Sequence, residues 1–490
     1  MTLGEAAIAM SASLSGGASS AAYTRVGTDS RSARNGDLFF CLSGENFDGH
    51  DFIEAAAAAG VAAVVCEAGR ARADVAVAFL EVADTLRALG DLAAAHRRRF
   101  APAIVAVTGS NGKTTTKEML RAIFGEHFGA DHVLATQGNL NNLIGVPLTL
   151  FRLGPEHRAA VIEMGMSVPG EIARLVEITV PDAGLITCVA SAHLEGLGSI
   201  EGVARAKGEL FAGLPAGAVA IVNADDPQVV TQAPRFGGRH VYFGSGDVEG
   251  GRAGLDAAAS AGRGDVPGGP NLNDAAAAVT AGAIRCERID ACSFEVRAGG
   301  HAAMVELPLG GRHNVHNALG AVAAALAMGV PLATAAAGLC KLVPPPMRLS
   351  AERLANGVTV LNDVYNANPG SMSAALATLD AADARRIVVL GEMRELGPGS
   401  AALHEQIGRA VAAVDPVLFC ASGAFAEAYC EGARAAGLAA GRVRVCARHE
   451  DAAAAVAEAW RAGDAILVKG SRGAAMEHVV EALRVRAATA

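Results

Sequence analysis

The sequence predicts an α/β protein of three domains. A central domain on a parallel sheet with a phosphate-binding loop is flanked by a small N-terminal α/β domain and a C-terminal Rossmann-like α/β domain. Three observations carry this. The stretch Ala103–Thr116 joins an apolar run to a Gly-rich turn and a helix start. Strand-like and helix-like patterns alternate along most of the chain, which implies parallel sheets with right-handed crossovers. A chain of 490 residues exceeds what one core sustains, and Pro344-Pro-Pro346 supplies a stiff linker. The expected domains are 1–100, 101–344 and 345–490.

The central stretch is the most informative. Ile104–Val107 reads as a buried strand, Gly109-Ser-Asn-Gly112 as a tight turn, and Lys113 to about Phe124 as a helix. Such a unit gathers backbone N–H groups on an anion, adds the helix dipole, and offers a lysine to terminal phosphates and a threonine hydroxyl to Mg²⁺. The general phosphate-loop pattern has a further Gly where this chain has Val107. The alternative is a plain Gly-rich connection, against which stand Lys113, Thr114 and Thr115 directly after the second glycine.

In the N-terminal region, Asp37–Leu42 and Ala62–Cys66 read as strands around an Ala-rich helix at Phe52–Ala59. Thr28-Asp-Ser-Arg31 and Gly44–His50 are turn-forming clusters, the first of which could also grip a phosphate. Ala88–Phe100 reads as a helix ending in Arg97-Arg-Arg99, taken as a solvated basic face. Beyond the phosphate loop, Ala159–Met164, Gly184–Ala190 and Ala218–Asn223 read as strands, with helices at Glu171–Glu177 and Glu201–Phe211. Ligands of open α/β sheets sit beyond the carboxyl ends of the strands. Glu163 and His193 fall at two such ends, so with Thr114 they form a candidate Mg²⁺ environment, although imidazole is a less usual ligand for that ion.

Other features remain open on spacing alone. Lys207, inside a helical pattern, reads as a solvated lysine. Asn139-Leu-Asn-Asn142 could form turns or hold a polar ligand, and Asn317 could cap a helix or reach a base. Residues 244–270 read as a flexible surface loop. Ser293–Val296 and Ala303–Leu307 read as antiparallel strands before a buried Ala-rich helix and its exit at Ala318–Leu342. In the third domain, strands at Val358–Leu361, Arg386–Leu390, Val417–Cys420, Val443–Cys446 and Ala465–Val468 carry Asn362-Asp363, Glu392, Ser422 and Lys469 at their ends. No Gly-x-Gly-x-x-Gly turn follows the first of them, so this domain is expected to close over substrates rather than bind a dinucleotide.

Composition excludes several classes. With 41 basic against 50 acidic residues the net charge is −9, which argues against a nucleic-acid binder. The mean hydropathy of +0.31 is largely alanine, and no apolar run approaches the ~20 residues of a membrane span. The N-terminus lacks a basic region before its apolar residues, so no secretory signal is expected. The nine cysteines are scattered without a C-x-x-C pair and read as reduced, buried thiols of a cytoplasmic protein.

Val107-Thr-Gly-Ser-Asn-Gly-Lys-Thr-Thr115, Glu163, His193-Leu-Glu195, Ala206-Lys-Gly-Glu209, His313-Asn-Val-His-Asn317, Met347-Arg348 and Asn362-Asp363 together resemble the Mur ligases, ATP-dependent amide-forming enzymes of peptidoglycan synthesis. The absent first glycine is that family's own form. Tyr365–Pro369, Leu390–Gly397, Asn139–Pro147 and Phe47–Phe52 carry a narrower likeness to members that use D-alanyl-D-alanine. The Asp-Asn-Pro-Arg run usual in the member adding the third amino acid does not occur here. The likeness spans all three domains and is poorest at 244–270.

The resemblance implies ligation of D-alanyl-D-alanine to UDP-N-acetylmuramoyl-tripeptide through an acyl phosphate, by a cytoplasmic monomer without nucleic-acid or membrane partners. It implies that Gly109, Ser110, Asn111, Gly112, Lys113, Thr114 and Thr115 hold ATP phosphates, that Asn317 meets adenine, and that Arg348 and Asp363 reach ATP from the third domain. It implies Thr114, Glu163, His193 and Lys207 as Mg²⁺ ligands, Lys207 as a carbamate, which reverses the reading from spacing. Lys113, Glu163, His193 and Lys207 are the implied catalytic groups, and Ser30, Arg31, Asn46, Asn139 and Asn142 the substrate-binding ones. A folylpolyglutamate synthase is disfavoured because that branch generally lacks a separate UDP-binding module. A nucleotide-gated protein without catalysis is disfavoured because the metal and phosphate groups occur together.

Overall fold

The computed structural model describes residues 1–44, 47–190, 197–245 and 278–489. The segment expected as a loop at 244–270 therefore lies outside the described residues apart from Gly244 and Ser245. The strands form three sheets. By compactness the chain divides into two units, Met1–Ala106 with Asp131–Met166 and Gly170–Pro181, and Val107–Ala130 with Ser167–Pro169 and Asp182–Ala490.

In the first unit a five-stranded sheet runs in the order Ser13–Ser15, Ala78–Val82, Ala63–Glu67, Leu38–Phe40, Val26–Gly27. Its pairs are parallel except the edge strand Ser13–Ser15. The inner strands are apolar except at Glu67 and Glu81, because both faces are covered. Leu38, Phe40, Ala63, Val65 and Leu80 pack on one side with Leu3, Leu89 and Leu92. Phe39, Cys41, Val64, Cys66 and Phe79 pack on the other with Ile53 and Ala56. The same unit holds the parallel pair Val133–Ala135 and Ala159–Glu163. Arg97 is not a solvated face: its guanidinium donates to Thr179 O at 2.9 Å and Val180 O at 3.0 Å. It thereby satisfies carbonyls at the end of the helix Glu171–Thr179, where a cation is favoured.

In the second unit, Ala183–Ile186, Val219–Asn223, Arg239–Gly244 and Ala278–Arg285 follow one another as parallel neighbours. Cys292–Ala298 and His301–Leu307 extend them antiparallel, as expected of that hairpin. Cys286 and Cys292 form a disulfide across the turn between two of these strands, their Cα atoms 4.4 Å apart. This corrects the expectation that all cysteines are reduced; antiparallel pairing, not a C-x-x-C spacing, brings the two together. Cys340 is also exposed rather than buried. The Ala-rich stretch forms two helices, Arg312–Ala327 and Leu332–Cys340, separated at Gly329 and Pro331.

The C-terminal sheet is ordered Ser350–Arg353, Thr359–Asp363, Ala465–Lys469, Arg386–Leu390, Leu418–Ala421, Val443–Val445. Only the first edge pair is antiparallel. The alternating residues again serve two cores: Leu361, Val388, Leu390, Phe419 and Leu467 face one, Val360, Ile387, Val389, Ile466 and Val468 the other. Among the described residues no helix is long and apolar enough to cross a membrane.

The helices Ser400–Ala413 and Ala426–Ala435 touch backbone to backbone through Gly408 and Gly432. A Cβ at Gly432 would collide with Glu405 O, and one at Gly408 with Tyr429 O. An exposed helical Gly→Ala change gains about 1 kcal/mol. Here overpacking outweighs that gain, so Gly432→Ala should cost about 1–3 kcal/mol. Urea unfolding measures the sign: a raised midpoint would contradict the close packing.

Candidate active site

The strand Ala103–Thr108 delivers the chain to the turn Gly109–Gly112, and Lys113 opens the helix Lys113–Phe128. Gly109 has φ +150° and Gly112 φ +81°, both in the region that side chains avoid. A Cβ at Gly109 would strike Thr187 Oγ1, and one at Gly112 would strike Asn317 Oδ1. The loop is stitched to the segment after strand Ala183–Ile186. Ser110 N donates to Cys188 O at 2.8 Å, and Ala190 N donates to Ser110 Oγ at 2.9 Å. Ser110 Oγ donates to Ala190 O at 3.1 Å, and Thr187 Oγ1 donates to Asn111 O at 2.5 Å. Lys113 folds back over the turn, its Nζ donating to Gly109 O at 2.7 Å. Thr114 and Thr115 are buried on the first helical turn.

Lys207 lies on the helix Ile200–Ala212 and is only 2% exposed. Burial and the like charge of Lys113 pull its ammonium well below the ordinary lysine range, with Cys188 acting the other way. A lysine so placed is not a solvated cation, and its surroundings favour the neutral amine. Asn223, at the end of Val219–Asn223, steadies the same region by donating from Nδ2 to Thr187 O at 2.7 Å.

Helix Arg312–Ala327 brings Asn317 beside Gly112, and Asn317 Nδ2 donates to Asn314 Oδ1 at 3.1 Å. His313, one turn earlier, is held down to about 4 by burial; Asp363 opposes the shift, and Lys469 and His316 reinforce it. In the C-terminal domain, Arg348 stands with its guanidinium carbon 3.9 Å from the Tyr365 ring centre. Its neighbours Met347 and Leu349 both have left-handed φ, +60° and +52°, a strain that needs external support. Asp363 supplies it: Oδ1 accepts from Leu349 N at 3.0 Å. Asp363 Oδ2 in turn pairs with Lys469 Nζ at 2.5 Å, and Lys469 also donates to Asn366 O at 2.9 Å. Asp363 thus shapes the Arg348 turn as well as standing at the strand end where the resemblance puts it.

The first unit holds the other expected residues. Glu163 is buried at the end of Ala159–Glu163, and its Oε1 accepts from Asn141 Nδ2 at 2.9 Å. Asn142 Oδ1 accepts from Gly145 N at 2.8 Å in the turn before the helix Gly145–Leu150, while Asn139 is exposed. Ser30 and Arg31 lie on a short 3₁₀ turn, with Arg31 Nη2 on Asp29 Oδ2 at 2.7 Å. Asn46 and His193 lie outside the described residues. Among the described residues no three His, Cys, Asp or Glu side chains gather as a metal site.

A cleft of about 430 Å³ opens at the carboxyl ends of the C-terminal sheet. Glu392, Arg394, Ser422, Arg448, His449 and Glu450 line it. Arg394 pairs with Glu392 at 2.6 Å and packs over Gly473, where a Cβ would displace it.

Three family models match in succession: the Mur ligase family catalytic domain at residues 22–97, the Mur ligase middle domain at 107–325, and the Mur ligase glutamate ligase domain at 347–472. The UDP-N-acetylmuramoyl-tripeptide–D-alanyl-D-alanine ligase of Escherichia coli is 39% identical over 466 residues, 94% of this chain and 93% of that one. The chain belongs to the Mur ligase family. The corresponding ligase of Bacillus subtilis is 34% identical over 94% of this chain and 92% of its own length. A crystal structure of MurF from Acinetobacter baumannii matches with a TM-score of 0.83 and 32% identity, covering 99% of this chain and 98% of that one. MurF from Thermotoga maritima in complex with ADP matches with a TM-score of 0.78 and 26% identity, over 95% and 98%.

Against this Mur ligase background, Asn141 is the residue of the site that a reading of the sequence does not single out. Asn141 sits between the two asparagines singled out, and only the fold shows that it holds Glu163. Lys469 is marked by its strand end and His313 by its motif, but that the two stand near Asp363 together depends on tertiary contacts. His313 has a pH signature. Its folded value lies below the ordinary 6.5, so the unfolded chain takes up the proton first as pH falls. His313 therefore costs stability between about 6.5 and 4, and the loss is complete below the folded value. His313→Gln should flatten the fall in urea midpoint between pH 6.5 and 4.5 relative to the parent. An unchanged slope would remove His313 from the buried cluster.

Proposed function

We propose that this chain is an ATP-dependent ligase that joins D-alanyl-D-alanine to UDP-N-acetylmuramoyl-tripeptide and yields the UDP-pentapeptide precursor of peptidoglycan. The observation that carries the reading is 39% identity to the Escherichia coli ligase across 94% of the chain. The phosphate loop and the depressed Lys207 amine support it chemically. In this reading residues 1–100 bind the UDP end, with Ser30, Arg31 and Asn46 as contacts, and Asn139 and Asn142 join them in holding substrate. Residues 101–344 bind ATP, and residues 345–490 bring in the amine. The reaction takes place in the cytoplasm, on a monomer.

The chemistry has three steps. A carboxylate oxygen of the tripeptide takes the γ-phosphoryl group of ATP, the bond from the γ-phosphorus to the bridging oxygen breaks, and ADP leaves. The dipeptide amine attacks the resulting acyl phosphate carbon and gives up a proton. The tetrahedral intermediate then expels phosphate and leaves the amide. Each transition state spreads negative charge, which fixed cations and helix N–H groups stabilise without reorganising. Lys113 serves the terminal phosphates from its position over Gly109 O, and Asn317, beside Gly112, is the proposed contact to adenine. Arg348 and Asp363 complete the ATP site from the third domain.

Each donor group by itself suits magnesium: a threonine hydroxyl on a first helical turn, a buried carboxylate oriented by Asn141, and a buried lysine whose surroundings favour the neutral amine that takes up carbon dioxide. Thr114, Glu163, His193 and a carbamate on Lys207 would hold it. When bound, magnesium neutralises phosphate charge as the phosphoryl group moves. The low Lys207 value favours the neutral amine that carbamate formation requires. The cleft between Glu392, Arg394 and Arg448 offers both charges to a zwitterionic dipeptide and is the proposed amine subsite.

ADP and phosphate should appear only when UDP-tripeptide and D-alanyl-D-alanine are both supplied, and Lys113→Ala should abolish their release. Arg394→Ala should raise KM for the dipeptide more than for ATP in the same assay. Turnover with a free amino acid and none with the dipeptide would overturn the substrate assignment. Lys207→Ala should fall by about a hundredfold or more, the scale of a lost charge-stabilising group. Added small carboxylates should restore part of that loss, whereas undiminished activity would return Lys207 to a purely structural part.

A further inference from the structure

Asn111, in the middle of the phosphate loop, meets Asn368 of the C-terminal domain, 257 positions away. The two amides exchange hydrogen bonds. Asn368 Nδ2 donates to Asn111 Oδ1 at 2.7 Å, and Asn111 Nδ2 donates to Asn368 Oδ1 at 3.3 Å. Each is anchored on its own side. Asn111 O accepts from Thr187 Oγ1, which ties it to the central sheet. Asn368 is the N-cap of the helix Pro369–Asp380, its Oδ1 accepting from Ser371 N at 2.9 Å while Ser371 Oγ accepts from Asn368 N at 3.0 Å.

The contact does not stop at the cap. Two residues before Asn368, Asn366 O accepts from Lys469. Lys469 holds Asp363, and Asp363 holds the backbone beside Arg348. A continuous path of hydrogen bonds and two peptide links therefore runs from the phosphate loop to the residues proposed to reach ATP from the third domain. The helix start sits close on the loop: a Cβ at Gly370 would lie 3.5 Å from Asn111 Nδ2 and 3.7 Å from Ala190 Cβ. Other contacts between the two domains' elements exist, such as Gly311 against Thr378, but this is one in which a phosphate-loop side chain is itself the partner.

We propose that Asn111 and Asn368 form an amide latch that couples the phosphate loop to closure of the C-terminal domain, with Asn368 a positioning residue for the Arg348 and Asp363 contacts. This rests on the ligase reading for its purpose, since the latch would hold the domain closed while nucleotide is bound. With the latch open, the same nucleotide gains fewer contacts and closure is less populated.

The variant that isolates it is Asn368→Ser. Serine caps a helix about as well as asparagine but is too short to reach Asn111. Asn111→Ala and the double variant complete a cycle. ADP affinity by calorimetry, with magnesium present, is read alongside the unfolding midpoint of the nucleotide-free protein. The latch predicts an unchanged midpoint for Asn368→Ser, ADP binding roughly tenfold weaker, and a double variant no weaker than Asn111→Ala alone. Wild-type ADP affinity in Asn368→Ser, or single losses that multiply in the double variant, would overturn it. A parallel ligation assay of the parent chain tests the ligase reading separately. An inactive parent with coupled ADP binding would sink that reading and keep the latch; an active parent with uncoupled binding would do the reverse.

Discussion

The turn between Thr108 and Lys113 leaves no space for a Cβ at either glycine, and the second unit is arranged around that constraint. Thr187 fills the space beside Gly109, and Asn317 fills the space beside Gly112. Because the backbone is bare at these points, the segment Thr187–Ala190 and the first turns of helix Arg312–Ala327 can close against it. Neighbours bond the loop's carbonyls and the Ser110 hydroxyl, and Cys188 O takes the Ser110 N–H. Thr187 on Asn111 O, Cys188 O on Ser110 N and Lys113 on Gly109 O fix the loop from three sides of the chain. A phosphate cradle of this kind is a matter of steric room first and of charge second.

Charge is handled differently at two buried lysines. Lys469 is enclosed with a carboxylate at 2.5 Å and a carbonyl at 2.9 Å, so the cost of burying it is met by close partners. At Lys207, burial and the like charge of Lys113 act together to pull the ammonium well below the ordinary lysine range. The first arrangement builds a rigid strand-end support for a strained turn. The second favours the unprotonated amine, the form that the proposed carbamate requires. What separates the two lysines is the sign of the neighbour, which belongs to the fold and not to the local sequence. Removing either amine would therefore have unlike consequences, loss of packing order around Arg348 in one case and loss of chemistry in the other.

Much of the architecture is legible because buried parallel strands are written as continuous apolar runs. Arg386–Leu390 is read to the residue, and Ala159–Met164 to within one. Strands that are short or edge-placed escape: Ser13–Ser15, Val26–Gly27 and Val133–Ala135 are two or three residues long and carry no period. The disulfide escapes because strand register, not spacing, juxtaposes Cys286 and Cys292. In the site, Lys113 and Thr114 announce themselves through the glycines before them. Asn141 does not, since one of three asparagines in a loop can be chosen only once the loop is folded onto Glu163. Lys207 is legible by family likeness alone; a helical lysine is ordinarily solvated, and its burial follows from packing of a helix whose other buried residues are Val203, Ala206 and Leu210.

The chemical identity of the Asn111–Asn368 contact follows from where it stands. A carboxylate in place of Asn111 would repel the phosphates that the loop exists to bind, and a lysine or arginine would compete with Lys113 for them. A neutral amide offers one donor and one acceptor, so it can bond a like partner in both directions without disturbing the field. Its strength is also suited to reversal. Two neutral hydrogen bonds contribute about 1–3 kcal/mol net, which is about five- to a hundredfold in an equilibrium. An ion pair excluded from water would resist opening, and a purely apolar contact would leave the closing position unspecified. A catalytic cycle that must admit three substrates and release three products needs a closure that is directional but not permanent, and paired amides between the loop and a capped helix meet both requirements.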